Sequence, residues 1–293
     1  MIPFIKEFDF AHGRADRLSD RIVRVIANNP GPFTFTGSGT YLVGDEHGIA
    51  VIDPGPEDKS HTAAILAAAP GPVTHILITH THLDHCGGTR DLKEATGAEV
   101  LAHSPHPSAP DTAPPGLEEG ADFAFRPDTE IDDGYRLTLP AATLTALHTP
   151  GHLPNHLCFS LEEEDALFTG DHIMGWSTTV VAPPDGDMDD YLKSLDLLLA
   201  QSHTVYYPTH GAPIPAPHSF VRTVKAHRET RDASILAALN ASPQSPLDIA
   251  RIVYTDIDPG LHFAAALNVK AHLDRHVKRG RVSQGEAGTY RLG

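Results

Sequence analysis

Short apolar runs, separated by polar loops and helical segments, make up the first two thirds of the chain. The β-branched run at residues 75–79 predicts a buried strand, and residues 41–43 and 50–53 predict a hairpin around residues 44–48. Helices are predicted from spacing and end signals at residues 60–69, 89–95 and 188–199. Further strands are predicted at residues 99–103, 144–147, 157–161, 167–169 and 205–207. This alternation is typical of an α/β fold, interrupted by an irregular Pro-rich stretch at residues 105–115.

The pattern changes at residues 211–217, which contain three Pro in seven residues. A domain boundary is predicted there, separating residues 1–217 from residues 218–293. Helices are predicted beyond it at residues 218–240, 247–254 and 261–279, followed by a hairpin at residues 282–292. Three helices and a hairpin form the outline of a winged helix, which does not by itself establish DNA binding. We expect the second domain to pack against the first or to form a pocket wall.

A six-residue stretch after the strand at 75–79 concentrates potential metal ligands: His80-Thr81-His82-Leu83-Asp84-His85. Side chains two residues apart in an extended segment point the same way, so His80 and His82 can bind one cation. Asp84 and His85 follow at a turn and can face a second cation. Four potential ligands in six residues at a strand end are rare even in a chain with 20 His, so we interpret the stretch as a metal site.

Three further ligand candidates follow predicted strands and stand beside glycine: His152, Asp171 and His210. Glycine lets the backbone turn sharply, so that one side chain from each strand end can face a shared cleft. Imidazole and carboxylate ligands suit Zn²⁺, with Mn²⁺ or Fe as alternatives. The common placement of these residues predicts that they complete a two-metal site.

Charge limits the range of partners. The net charge of −16 argues against a general affinity for nucleic acid, because phosphate neutralisation dominates that binding. Residues 218–293 hold 11 Lys and Arg against 7 Asp and Glu, a balance of +4, whereas residues 1–217 hold 11 against 31, a balance of −20. The chain is therefore an acidic body with a mildly basic tail, and DNA is not an expected partner.

The remaining composition points to the cytoplasm. No run approaches the roughly 18 apolar residues of a membrane span, and the first residues lack the profile of a secretory signal. Cys86 and Cys158 are the only cysteines and do not form a CxxC pair, so no disulfide scaffold is expected. We expect a cytoplasmic protein that does not enter a membrane, and the sequence leaves its oligomeric state open.

The ordered set of ligand candidates resembles the metallo-β-lactamase superfamily. Five further stretches and the winged-helix-like tail resemble the beta-lactamase-like protein 2 branch over nearly the whole chain: residues 29–34, 39–44, 52–55, 170–175 and 178–179. The resemblance implies a four-layer αββα sandwich, with a two-metal site along one edge of its two sheets, followed by a small winged-helix-like domain.

The resemblance also implies a role for each candidate. It assigns all seven to two Zn²⁺ ions per chain: His80, His82 and His152 to one, Asp84, His85 and His210 to the other, and Asp171 as the bridge. Asp53 matches a position that supports the histidine loop without binding metal.

The predicted reaction is hydrolysis. Two cations that share one water lower its pKa from about 15.7 towards 7 and polarise a carbonyl or phosphoryl oxygen. We therefore expect a hydrolase that uses a bridging hydroxide, with Asp84 and Asp171 as catalytic residues and Asp84 handling the proton. Five residues are candidates for contact with the substrate: Asn155, His156, Trp176, Thr178 and Thr179.

Several substrates remain open at the level of sequence. The branch resemblance favours phosphodiester cleavage in single-stranded RNA, and the basic tail is compatible with it. Ester, thioester or lactone hydrolysis, as in glyoxalase II or lactonases, suits the acidic body equally well. β-Lactams are disfavoured, because the β-lactamase groups generally lack an aspartate at the position of Asp171 or use a Cys ligand that is absent here. An alternative interpretation, outside the enzymes, is that the chain is a DNA-binding, metal-sensing regulator.

Overall fold

The first sheet of the computed structural model, which describes residues 2–107, 120–239, 242, 244–255 and 257–293, has seven strands. They are β1 (Ala15–Arg17), β2 (Ile22–Ile26), β3 (Gly39–Asp45), β4 (Gly48–Ile52), β5 (Val73–Leu77), β6 (Glu99–Ala102) and β7 (Thr129–Glu130). Strands β1 to β4 pair antiparallel and β4 to β7 pair parallel, in chain order. The carboxyl ends of β4, β5 and β6 therefore meet at one edge.

The second sheet has six strands. They are β8 (Arg136–Thr138), β9 (Thr143–His148), β10 (Leu157–Leu161), β11 (Ala166–Gly170), β12 (Val205–Pro208) and β13 (Ile214–Pro215). Their spatial order is β13-β12-β11-β10-β9-β8, and only β11 and β12 pair parallel. The residues that follow β9, β11 and β12 come to the same side as the end of β5, which is where the ligand candidates were predicted.

Helices cover both sheets. They are α1 (Lys59–Ala68), α2 (Leu83–Cys86), α3 (Thr89–Thr96), α4 (Met188–Leu199), α5 (Pro217–Ala238), α6 (Pro246–Val253) and α7 (His262–Lys278). The start of α4 is fixed by Asp187, whose carboxylate accepts from the backbone N–H groups of Asp189 and Asp190. Among the described residues, no helix combines the length and the apolar character needed to cross a lipid bilayer.

Three apolar clusters separate four layers. Tyr41, Phe159 and Phe168 lie in the cluster between the two sheets. Ile65 of α1 and Leu92 of α3 pack with the outer face of the first sheet. Residues of α4 and α5 pack on the outer face of the second. The predicted αββα sandwich is confirmed.

A fourth cluster forms the core of the C-terminal region. It joins the end of α5 with α6, α7 and the hairpin of β14 (Val282–Gln284) and β15 (Tyr290–Leu292). Helix α5 contributes to two cores, because Phe220, Val221 and Val224 pack with α4 whereas Ile235 packs with α6 and α7. Residues 108–115 of the stretch predicted to be irregular lie outside the described residues.

Candidate metal centre

All seven predicted ligands lie together in the structure. Each is at most 9% exposed, and each follows a strand end or lies in the short helix α2: His80 and His82 after β5, Asp84 and His85 in α2, His152 after β9, Asp171 after β11, and His210 after β12. Side chains from both sheets thus meet at one edge of the sandwich.

Two glycines make this convergence possible. Gly151 has φ +135° and Gly170 has φ +49°, so both adopt backbone conformations that side chains disfavour. A Cβ at Gly151 would lie 2.3 Å from the Cα of Tyr191, and one at Gly170 would lie 2.6 Å from Nε2 of His156. A larger residue at either position would clash with these neighbours of the ligands His152 and Asp171.

The first group of ligands contains only imidazoles. Nδ1 of His82 lies 2.9 Å from Nε2 of His80 and 3.2 Å from Nε2 of His152. The three rings are nearly perpendicular to one another, with angles of 81° between His80 and His82, 84° between His80 and His152, and 80° between His82 and His152. Three ring nitrogens therefore converge on one small volume.

The second group mixes imidazoles with carboxylates. Oδ2 of Asp84 lies 3.1 Å from Nε2 of His210 and 3.4 Å from Nε2 of His85. Oδ1 of Asp171 lies 3.4 Å and 3.5 Å from the same two nitrogens. The other oxygen of Asp171 lies 4.0 Å from Nε2 of His152. Asp171 is therefore positioned between the two groups.

Hydrogen bonds fix the outer nitrogen of four of these rings, which leaves Nε2 to face the centre. The partners of Nδ1 are Thr79 Oγ1 for His80 (3.0 Å), Asp53 Oδ2 for His85 (2.7 Å), the Val180 carbonyl for His152 (2.7 Å) and the Gly37 carbonyl for His210 (3.3 Å). These hydrogen bonds therefore set the direction in which each ring presents Nε2.

Asp53 supports the histidine loop, as the sequence predicted. Its carboxylate accepts from both the backbone N–H and the hydroxyl of Thr79, each at 2.8 Å, and from the hydroxyl of Thr209 at 3.0 Å. It is 1% exposed and has a positive φ of 50°, which is unusual for a residue with a side chain. One buried carboxylate thus ties β5, α2 and the loop after β12 together.

Burial and charge act differently on the two groups. In the first group, burial and the neighbouring imidazoles lower the pKa of His80 well below its usual value, so this imidazole is neutral. Burial alone would raise the pKa of Asp84, but His85 and His210 lower it to about 2. Burial would lower the pKa of His85, yet Asp84 and Asp171 raise it. The second group therefore holds a proton on His85, and a cation bound by this group would displace that proton.

The donor set fits divalent metal ions. Nε2 of His85 and Oδ1 of Asp171 are buried atoms without a hydrogen-bond partner in the structure. Buried polar atoms left this way are costly unless something else satisfies them. Imidazole nitrogens and carboxylate oxygens in this number suit Zn²⁺, Mn²⁺ or Fe.

The five candidate substrate residues divide into two sets. Trp176 and Thr178 line a cleft beside the metal centre. Asn155, His156 and Thr179 are buried and bond to the protein itself. The Asn155 amide donates to the Thr81 hydroxyl at 3.0 Å, Nε2 of His156 accepts from the Asp171 backbone N–H at 3.2 Å, and the Thr179 hydroxyl donates to the Asp171 carbonyl at 2.7 Å.

Sequence reasoning missed several contributors. The carbonyls of Gly37 and Val180 hold two ligand rings, and backbone groups give no signal in residue types. The Ser38 hydroxyl donates to Asp84 at 3.4 Å, and its position between two glycines was the only available sign. His106 lies in the Pro-rich stretch and gave no sign of burial, yet its side chain is 2% exposed and its Nδ1 forms a hydrogen bond with the Thr81 hydroxyl at 2.8 Å.

The metal centre lies in a small pocket that adjoins a larger cleft. Phe33, Met174 and Val180 line both. The far wall of the cleft comes from the C-terminal region: Tyr254, Ile257, Leu261, Ala264, Ala265 and Asn268.

Comparison with known proteins agrees with this architecture. The family model described as the metallo-beta-lactamase superfamily matches residues 34–210, and that described as the beta-lactamase associated winged helix domain matches residues 245–289. A beta-lactamase domain protein from Burkholderia ambifaria has the same fold, with a TM-score of 0.80 at 20% identity, covering 97% of this chain and 94% of that one.

Two relatives match most of the sequence. An atrochrysone carboxyl ACP thioesterase from Aspergillus chevalieri is 34% identical over 252 residues, which cover 84% of this chain and 74% of the relative. A beta-lactamase-like protein 2 homologue from Caenorhabditis elegans is 32% identical over 281 residues, covering 94% and 90%.

Proposed function

The chain belongs to the metallo-β-lactamase superfamily, and from that premise we propose that this hydrolase uses divalent metal to cleave a thioester with an apolar acyl group. The observation that carries the proposal is the apolar wall that the metal pocket shares with the cleft. A substrate whose carbonyl lies beside His82 and Asp171 extends past Phe33 and Met174 towards the C-terminal region. The acyl group then lies against apolar side chains.

The charge of this surface favours an acyl group over RNA. Among the described residues that line the pocket and the cleft, none is Lys or Arg. Binding to a phosphate backbone depends on such cations. The basic tail does not supply them freely, because four of its cations pair with carboxylates of α4 or its cap: Lys225 with Asp196, Arg275 and Arg279 with Asp189, and Lys278 with Asp187.

The relative named as an ACP thioesterase supports the same reaction. In thioester hydrolysis the water oxygen bonds to the carbonyl carbon, the carbon–sulfur bond breaks with its electron pair on sulfur, and one water proton ends on the thiol. Divalent cations held by the seven residues would polarise the carbonyl oxygen and acidify the water.

Residues of the chain itself transfer the proton, orient the carboxylate that receives it and shield the acyl group from water. Asp84 is ionised at neutral pH, since its pKa is lowered to about 2, and we assign it to receive and pass on the proton. The Ser38 hydroxyl holds the orientation of its carboxylate. The apolar wall at Phe33 and Met174 excludes bulk water from the acyl side.

A substrate panel on the metal-loaded protein tests the proposal. Release of thiol from benzoyl- and acetyl-coenzyme A is compared with cleavage of a single-stranded RNA and of a chromogenic β-lactam. We expect thioester turnover with preference for the larger acyl group, and its loss in Asp171→Ala. Cleavage of RNA without thioester turnover would overturn the proposal.

A substitution in the cleft tests where the acyl group lies. Ala264 lines the cleft, whereas the side chain of neighbouring Phe263 is exposed and does not. Ala264→Trp should raise KM for the benzoyl thioester about tenfold or more, by loss of about 1–3 kcal/mol of apolar contact, and leave the acetyl thioester unchanged. Phe263→Trp is the matched control.

Single-stranded RNA is the second candidate, favoured by the +4 balance of residues 218–293 and by the branch resemblance described for the sequence. RNA binding would have to weaken steeply with salt. Salt-independent affinity would remove this candidate.

A further inference from the structure

The segment 179–181 connects the metal centre with the C-terminal region. On its inner side, the Val180 carbonyl accepts from Nδ1 of His152 at 2.7 Å. The Thr179 hydroxyl donates to the carbonyls of Asp171 at 2.7 Å and His172 at 3.0 Å. This short segment therefore contacts His152, which follows β9, and Asp171, which follows β11.

Two side chains of the C-terminal helices hold the other side of the segment. Oδ1 of Asn268 in α7 accepts from the backbone N–H of Val181 at 3.1 Å. The same oxygen accepts from Nη1 of Arg228 in α5, also at 3.1 Å. Nη2 of Arg228 donates to the Thr179 carbonyl. Two hydrogen bonds thus clamp the residues on either side of Val180.

Arg228 is an unusual residue to find here. It is 2% exposed, and its partners in the structure are a carbonyl, an amide oxygen and the ring of Tyr191, whose centroid lies 5.1 Å from the guanidinium. No described carboxylate forms an ion pair with it. Buried cations are costly and are normally paired with an anion, so a role beyond filling space is needed to explain this one.

We propose that Arg228 and Asn268 are positioning residues for the metal centre. By fixing the carbonyl of Val180, they set the direction in which His152 presents Nε2 to the cation. The C-terminal region is then part of the support of the site, in addition to forming a wall of the cleft. The inference requires that the seven residues bind metal and is independent of the substrate.

Metal binding by the full-length protein tests this without any substrate. Affinity for Co²⁺ is measured by competition with a chromophoric chelator, together with the visible absorption spectrum of the Co²⁺-loaded protein. Asn268→Ala removes the acceptor and should lower affinity about tenfold and change the spectrum, as expected for groups behind a metal ligand. Asn268→Asp keeps an acceptor oxygen and should restore both.

Arg279→Ala is the matched control, because it breaks a 2.7 Å ion pair with Asp189 at the same domain contact without touching segment 179–181. Its affinity should stay within twofold of wild type. Wild-type affinity and spectrum in Asn268→Ala would overturn the proposal, and so would an equal loss in Arg279→Ala. If Asn268→Ala fails to fold, Arg228→Lys decides on the same measurements, since it keeps the charge but loses the planar fork that reaches two partners.

Discussion

The metal centre and a second cluster, formed by His103, Asp132 and His148, both place imidazole and carboxylate atoms within 4.8 Å of one another. They differ in orientation. The rings of His80, His82 and His152 are mutually near-perpendicular, whereas those of His103 and His148 stack at 4.3 Å with an angle of 19°. A ring nitrogen binds a cation in the plane of its ring, so two stacked rings cannot direct both nitrogens at one ion.

The two clusters also differ in burial and support. The side chain of Asp132 is 83% exposed, and Nδ1 of His103 has no hydrogen-bond partner. In the metal centre every ligand is buried, and four outer nitrogens are held by neighbouring groups. Close donor atoms therefore indicate a metal site only when ring direction, burial and outer hydrogen bonds agree.

The largest effect should come from removing the residue between the two ligand groups. Asp171→Ala takes away the carboxylate that approaches both, and we expect turnover to fall about a thousandfold or more, since metal polarisation contributes several kcal/mol. Metal content by atomic absorption should fall in parallel. A fully active Asp171→Ala protein with its full metal complement would contradict the assignment.

A smaller loss should follow when an outer support is changed. Asp53→Asn keeps the size of the side chain and removes the charge that pairs with His85 at 2.7 Å. Metal affinity and kcat should fall about ten- to a hundredfold. Thermal unfolding of the metal-free variant serves as the control for folding. Affinity equal to wild type would mean that the outer hydrogen bonds do not matter.

A third cluster sharpens the comparison, because contacts within the protein explain it without a bound cation. Asp232 accepts from Nδ1 of His272 at 2.8 Å and from Nε2 of His276 at 3.0 Å. Burial would raise the pKa of Asp232, but the hydrogen bonds and the charges of His272 and His276 lower it from 3.8 to about 2. Asp232→Asn should cost about 1 kcal/mol of unfolding free energy at neutral pH, allowing for partial exposure.

The sign of the pH dependence follows from that lowered pKa. The stabilisation is present above about pH 4, where the unfolded carboxyl is ionised, and is lost as the pH falls through about 2. Denaturant titrations of wild type and Asp232→Asn should therefore converge on acidification. A difference that widens towards low pH would contradict this explanation.

The smallest effect is expected at the stacked cluster. The double variant His103→Gln, His148→Gln should keep metal content and turnover within about twofold of wild type, as is usual for substitutions at partly exposed positions. Loss of one metal ion per chain in this variant would show that stacking does not disqualify a pair of histidines.

Much of the site could be predicted because its signal is local. The motif from His80 to His85 is contiguous, and His152, Asp171 and His210 each stand beside glycine after an apolar strand. Strand β10 (Leu157–Leu161) was predicted with the same ends, since Ser160 is the only polar residue in its apolar run.

The parts that sequence reasoning missed depend on distant contacts. Strand β2 (Ile22–Ile26) contains Arg24 in an otherwise apolar run, and its burial depends on Asp16, 3.4 Å away on the neighbouring strand. His106 is buried against Thr81, which is remote in sequence. The contact of Asn268 with Val181 joins residues 87 positions apart. No pattern of neighbouring residues reports such pairs.

Helix α5 has a consequence for how such an architecture can be assembled or dismantled. Phe220, Val221 and Val224 belong to the core beside the second sheet, and Ile235 and Leu239 belong to the C-terminal core. A fusion made at residue 217 would not transfer a self-contained domain. The C-terminal fragment would include part of the outer helical layer of the first domain, and the remaining fragment would expose the apolar surface that α5 covers. A gene rearrangement that preserves both cores must keep α5 together with the two-sheet domain and the C-terminal region. We therefore expect these two parts to be inherited together.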